Sequence, residues 1–207
     1  MLSIIRLLDR TYPTLQLEQQ FRSPFQILIA TIISQRTRDT QTLPVATNLF
    51  SEAKTPQDLL SLPLYRLQTI LRPAGKQISN AKRIRKLCVA LLYEHEGAVP
   101  KNEFELLRLP GVGRKTANIV LSHAFHKDAV AVDIHVHRIT NRLGWLTTRT
   151  PLETEMALQK LVPKRYWNVV NRIFVRHGQN TCLPRSPWCS RCTIALYCKK
   201  VGVKFSR

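Results

Sequence analysis

Acidic residues are scarce in this chain, and after Glu155 there are none. Thirteen Asp and Glu stand against 32 Lys and Arg, a formal charge of +19 at pH 7. Eleven of the basic residues follow Glu155. The stretch from Leu59 to Tyr93 also lacks acids, yet it carries Arg72, Lys76, Lys82, Arg83, Arg85 and Lys86. Solubility asks for a net charge of only about 2–8 in a small domain. A surplus this large points to a polyanionic partner.

Other absences narrow the class. No run reaches the roughly 18 uninterrupted apolar residues of a membrane span. The opening stretch breaks its apolar run at Arg6 and Asp9. It therefore predicts a short amphipathic helix and not a secretory signal. No internal repeat or low-complexity linker occurs. Strand composition is confined to Ala129–Val132. Five cysteines, four of them crowded into 17 residues, argue against a secreted disulfide framework. The expectation is an intracellular protein without a membrane segment, whose 207 residues can bury the core of one or two domains.

Helical patterning fills most of what remains. Ser23-Pro24 reads as a cap with proline at the first helical position, before an apolar segment through Ile33. Thr55-Pro56 opens another helix. Ser79 to His95 has apolar residues at helical spacing, with Gly97 as its C-cap, and places Cys88 among core positions. Asn102 caps a short helix through Leu107, and a further helix runs from Arg114 to Phe125. Asp133 caps a helix from Ile134 to Leu143. Thr150-Pro151-Leu152-Glu153 has the form of a capping box. Arg165 to His177 is helical and stops at Gly178.

Two helices joined by Pro110-Gly111-Val112-Gly113 form a helix-hairpin-helix candidate, over about residues 102–124. Glycines there permit positive φ and close approach of the main chain to a ligand. The N–H groups opening the second helix favour an anion, and a DNA phosphate fits the surrounding charge. Arg114, Lys115 and Thr116 start that helix. A neutral lysine amine facing DNA could attack an electrophilic sugar carbon and form a Schiff base. Desolvation against DNA would favour the neutral amine. Eighteen residues on, Asp133 is a candidate for proton handling and for stabilising a cationic sugar, or simply a helix cap.

Cys182, Cys189, Cys192 and Cys198 have the spacing C-x6-C-x2-C-x5-C. They read as one metal site, with zinc and an iron–sulfur cluster both open on spacing alone. Arg185 lies in the loop between the first two.

These segments together resemble the endonuclease III family of DNA glycosylases, from about Leu7 to Lys200. The likeness rests on Ser23-Pro24-Phe25, Ser34-Gln35 with Asp39, Leu109 to Asn118, Val132 to Arg138 and the cysteine spacing. The resemblance implies an all-α fold in two lobes, with DNA in the cleft between. Residues 17–127 would form a six-helix barrel containing the hairpin, and 1–16 with 128–207 a lobe holding a 4Fe–4S cluster. It implies that Lys115 is the nucleophile, Asp133 the catalytic carboxylate and the four cysteines the cluster ligands. Gln35 would fill the gap left by a flipped nucleotide. Gly111, Val112, Gly113, Arg114, Thr116, His135 and Arg185 would contact DNA. The partner implied is double-stranded DNA with a damaged base or abasic site, met by a monomer. A second, apolar wedge belongs in the segment from Gly75 to Ile78, where this chain has Lys76. The implied reaction is excision of damaged pyrimidines with β-elimination. A mismatch glycosylase without lyase activity is the alternative, together with a non-catalytic binding protein.

Overall fold

A computed structural model describes residues 1–12, 20–35, 37 and 39–207, with 39 and 40 described by backbone alone. Eleven α-helices and no strand occur among the described residues. The chain divides into two compact units, Gln16–Lys127 and Met1–Leu15 with Asp128–Arg207. The expected boundary at residue 16 lies outside the described residues, as does the Asp39 side chain.

The first helix, α1 (Leu2–Thr11), belongs to the split unit. In Gln16–Lys127 the central element is α2 (Pro24–Ser34). Phe25, Leu28, Ile29, Ala30, Ile32 and Ile33 are all buried, so the helix is apolar on most faces because it is enclosed. Pro24 takes the first helical position, but the Ser23 side chain makes no capping bond. The helix packs on α3 (Asp39–Glu52) and on α8 (Arg114–Phe125). Between them come α4 (Pro56–Ser61), α5 (Leu64–Leu71), α6 (Gln77–His95) and α7 (Glu103–Arg108). Thr55 and Asp58 form a complete capping box, each side chain accepting the other's backbone N–H, at 3.1 and 3.0 Å. Asn102 accepts the Glu105 N–H at 2.9 Å and caps α7. The C-cap of α6 falls one residue earlier than expected. Glu96 takes the left-handed conformation at φ 53°, and Gly97 follows at φ 81°, its N–H bonded to the Leu91 carbonyl.

The other unit combines α1 with α9 (Ile134–Arg142), α10 (Pro151–Leu161) and α11 (Trp167–Asn180). Ile4, Ile5 and Leu8 of α1 join Val136, Ile139, Ile173 and Phe174 in one core. Burying each such side chain is worth about 1.5–3 kcal/mol. Arg172 donates to Asp9 and to the Tyr12 carbonyl, tying α1 to α11.

Three further expectations change. Ala129–Val132 pairs with no strand. Its apolar composition reflects burial, with Val130 and Val132 in the core and the Ala131 carbonyl accepting from Asn171 at 2.9 Å. At α10 the box is not reciprocal. Thr150 caps Glu153, but the Glu153 carboxylate takes the N–H of Arg149, not that of Thr150. Gly178 does not end α11, which continues to Asn180. A Cβ on Gly178 would lie 2.4 Å from His135 Nδ1 and 2.9 Å from Arg138 Nη2. The glycine is there to let α9 side chains approach the α11 backbone.

Candidate active site

The hairpin turn follows from its residues. Leu109 and Val112 are buried and anchor it, and the Val112 N–H closes on the Leu109 carbonyl at 3.1 Å. Gly111 sits at φ 82°, where other residues are strained. Gly113 differs, since its φ of −99° suits any residue. A Cβ at Gly113 would meet nothing within 4 Å, so this glycine leaves open space before the first turn of α8. It also brings no capping side chain. An open helix N-terminus without a side-chain cap is a favourable place for an anion.

Arg114 and Lys115 are exposed on that first turn, and Thr116 is buried. Arg114 pairs with Glu103 at 2.9 Å. Arg114 is exposed and Glu103 half-buried, so the pair is partly screened by solvent and a phosphate can compete for the guanidinium. Lys115 shares a pocket of about 320 Å³ with Thr31, Ser34, Gln35, Thr116 and Ile119. That volume is within the range of small-ligand sites.

Gln35, the C-cap of α2, is bound on both sides of its amide. Nε2 donates to the Gly111 carbonyl and to Thr116 Oγ1, each at 3.2 Å. Oε1 accepts from Arg83 Nη1 at 2.7 Å. The structure thus brings together Gln35, the hairpin glycine, Thr116 and Lys115. Sequence reasoning had placed Arg83 only in a basic stretch. Helical spacing carried no signal that it turns toward Gln35.

Asp133 is the N-cap of α9, its Oδ1 accepting the N–H groups of His135 and Val136 at 2.9 and 3.0 Å. His135 is half-buried, and its Nδ1 lies 3.1 Å from Arg138 Nη2. Arg138 Nη2 also donates to the carbonyls of Gly178 and Cys182. The second unit therefore links the Asp133 helix to the start of the cysteine loop.

Cys182, Cys189, Cys192 and Cys198 form no disulfide and line one cavity, with Ile139, Leu143, Trp188 and Ile194 on its walls. No three His, Cys, Asp or Glu side chains among the described residues are grouped to hold one metal ion. Donors approach three of the sulfurs. Arg142 Nη1 lies 3.4 Å from Cys182 Sγ, the Lys200 N–H 3.4 Å from Cys198 Sγ, and His177 Nε2 3.6 Å from Cys192 Sγ. Burial pushes the Cys192 and Cys198 thiols up, with the neighbouring cysteines adding to it. Burial, and then the Arg138 charge, push His177 down to about 4, so its ring is neutral. A proton on Nε2 satisfies both neighbours, with Nδ1 accepting from the Tyr12 hydroxyl at 3.3 Å. Donors aimed at sulfur suit anionic thiolate ligands. Tyr12 and Arg142 lie far from the cysteines in sequence, and His177, five residues before Cys182, belongs to no motif.

Arg185 is exposed in the loop between Cys182 and Cys189. Lys76 stands at φ 50° as the N-cap of α6, and Ile78 beside it is 57% exposed. No helix among the described residues is long and apolar enough to cross a membrane.

Residues 29–164 match the family model described as HhH-GPD superfamily base excision DNA repair protein. The chain is 46% identical to endonuclease III of Thermotoga maritima, over 85% of this chain and 83% of the relative. A non-covalent endonuclease III–DNA complex superposes with a TM-score of 0.86 at 36% identity, covering 96% of this chain and 93% of the other. A trapped endonuclease III–DNA covalent intermediate gives 0.85 at 36% identity, covering 95% and 92%. A chain that matches this model over more than half its length, and endonuclease III over most of it, belongs to the HhH-GPD superfamily of base excision DNA repair proteins.

Proposed function

We propose that the protein is a bifunctional DNA glycosylase and AP lyase acting on damaged pyrimidines in double-stranded DNA, inside the cell and as a monomer. The observation that carries this reading is Lys115, exposed on the turn after the hairpin and in one pocket with Gln35. Residues 17–127 present the hairpin, and 1–16 with 128–207 the cysteine loop. Phosphates dock at Gly111, Val112, Gly113 and Arg114, with His135 and Arg185 as further contacts.

The Lys115 amine attacks C1′ of the flipped nucleotide. The N–C1′ bond forms as the bond to the base breaks, and the base leaves with a proton. The sugar ring opens, O4′ takes a proton, and an iminium joins Lys115 to the sugar. Loss of a C2′ proton then expels the 3′ phosphate by β-elimination. Asp133 carries protons between these steps and stabilises positive charge on the sugar. A relative that only hydrolyses the base has no need of an amine at position 115, so the lysine favours the lyase over the mismatch glycosylase.

We assign Cys182, Cys189, Cys192 and Cys198 as ligands of a 4Fe–4S cluster. The four cysteines line one cavity, as ligands of a common centre would, and the family likeness favours the cluster over zinc. The cluster would fix the loop that carries Arg185. Protein made in iron-replete, anaerobic culture should contain about four iron and four sulfide per chain. Stoichiometric zinc instead would overturn the assignment.

The reading is tested with duplexes carrying one defined lesion each. Release of an oxidised pyrimidine together with a nick 3′ to the site is expected. Release without nicking would favour the monofunctional alternative, and binding without release the non-catalytic one.

A further inference from the structure

We infer that Arg83 is a positioning residue that sets the polarity and orientation of the Gln35 amide at the Lys115 pocket. The inference rests on the excision reading above and adds a residue to it.

The geometry leaves the amide one sense. A guanidinium only donates, so Arg83 Nη1 at 2.7 Å selects the oxygen of Gln35. A backbone carbonyl only accepts, so Gly111 at 3.2 Å selects the nitrogen. Thr116 Oγ1 accepts from the same nitrogen at 3.2 Å. Two partners of fixed and opposite character resist an amide flip, which one partner alone would not do. Arg83 comes from the middle of α6, Gln35 from the end of α2, and the others from the hairpin and α8.

Gly111 is shaped for the same arginine. A Cβ there would stand 2.3 Å from Arg83 Cδ and 2.7 Å from Cγ. The hairpin glycine thus has two duties, a left-handed turn and room for the arginine stem. The stem lies across the turn while the guanidinium reaches Gln35. A side chain that must enter a base stack loses less freedom on binding when it is already held in place. Arg83 therefore acts at the step in which Gln35 fills the vacated space, and not on the chemistry at Lys115. That step weighs most where a paired base must be flipped and least at a pre-formed abasic site.

Arg83→Met keeps an aliphatic stem over Gly111 and removes the donor. Single-turnover base excision should fall about tenfold, the scale of one hydrogen bond to a charged group. Cleavage of a pre-formed abasic duplex should stay within about threefold, as only part of one step is affected. Arg83→Met added to Gln35→Ala should cost nothing more than Gln35→Ala alone. Additive losses in that double variant would overturn the proposal. So would wild-type excision by Arg83→Met. Equal losses on both substrates with a shallower salt dependence would make Arg83 a phosphate contact instead, which also overturns it. An activity-independent readout is the Gln35 side-chain NH2 pair in a ¹⁵N-correlated spectrum. It should be shifted and exchange-protected in the wild type and lose both features in Arg83→Met. A wild type with this signature but no base release would sink the excision reading and leave the positioning contact standing.

Discussion

Asp133 caps a helix and is assigned a part in the chemistry, and the two roles can be separated. Its Oδ1 holds the first N–H groups of α9, a capping role worth about 1 kcal/mol. The proposed chemistry uses its charge and basicity. Asparagine caps a helix about as well as aspartate, but it cannot take up a proton at neutral pH. Asp133→Asn should therefore melt within a degree or two of the wild type, on the order of the small capping difference. Its base excision should fall by about a hundredfold or more, the usual contribution of a positioned acid–base group. Calorimetry and single-turnover excision on one preparation would decide between the roles. An active Asp133→Asn would reduce this residue to a cap. Gln35 shows the opposite case, a residue whose place was legible but whose partners were not. Its position after an apolar helix and the family likeness marked it. The bonds to Arg83, Gly111 and Thr116 come from three other segments, and no local pattern encodes such contacts.

Helix N-termini were easier to read than helix ends and turns, and the reason is physical. A cap such as Asn102, Thr55 or Asp133 acts within three residues of itself, so local sequence contains the whole interaction. Glu153 misled only slightly, because a flexible carboxylate can choose between adjacent N–H groups. Gly178 misled more. A glycine late in a helical pattern ordinarily suggests a stop. Here its cause is tertiary, the approach of His135 and Arg138 from α9, and local reading cannot see a neighbour 40 residues away. The same holds for Ala129–Val132, where an enclosed connector has the composition of a strand. Gly178→Ala gives a direct check. In a free helix the change would stabilise by about 1 kcal/mol. Overpacking against His135 and Arg138 should cost about 1–3 kcal/mol and win. The expected result is a lower melting temperature, and an unchanged or higher one would mean that α9 yields easily.

At the scale of the molecule, charge and chemistry are distributed differently. The surplus of +19 is spread over 32 basic residues, and the all-acid-free stretch after Glu155 holds eleven of them. Affinity for duplex DNA should therefore be shared among many contacts, each adding about 0.9 to the salt slope. Covalent chemistry, in contrast, is assigned to a single amine. Fold class and helix order were legible because each rests on composition or short spacing. The sulfur donor Arg142 was not, because the chain brings it to the loop only on folding. The contrast between shared binding and single-site chemistry makes one measurement decisive. Wild-type protein and Lys115→Gln are incubated with an abasic or damaged duplex and borohydride, with binding measured in parallel over a range of salt. Reduction of the iminium should leave a stable adduct on the wild type, mapped to Lys115 by mass spectrometry. Lys115→Gln should still bind, with a salt slope changed by no more than about 0.9, and should form no adduct. An adduct of normal yield on Lys115→Gln would place the nucleophile elsewhere and contradict the account.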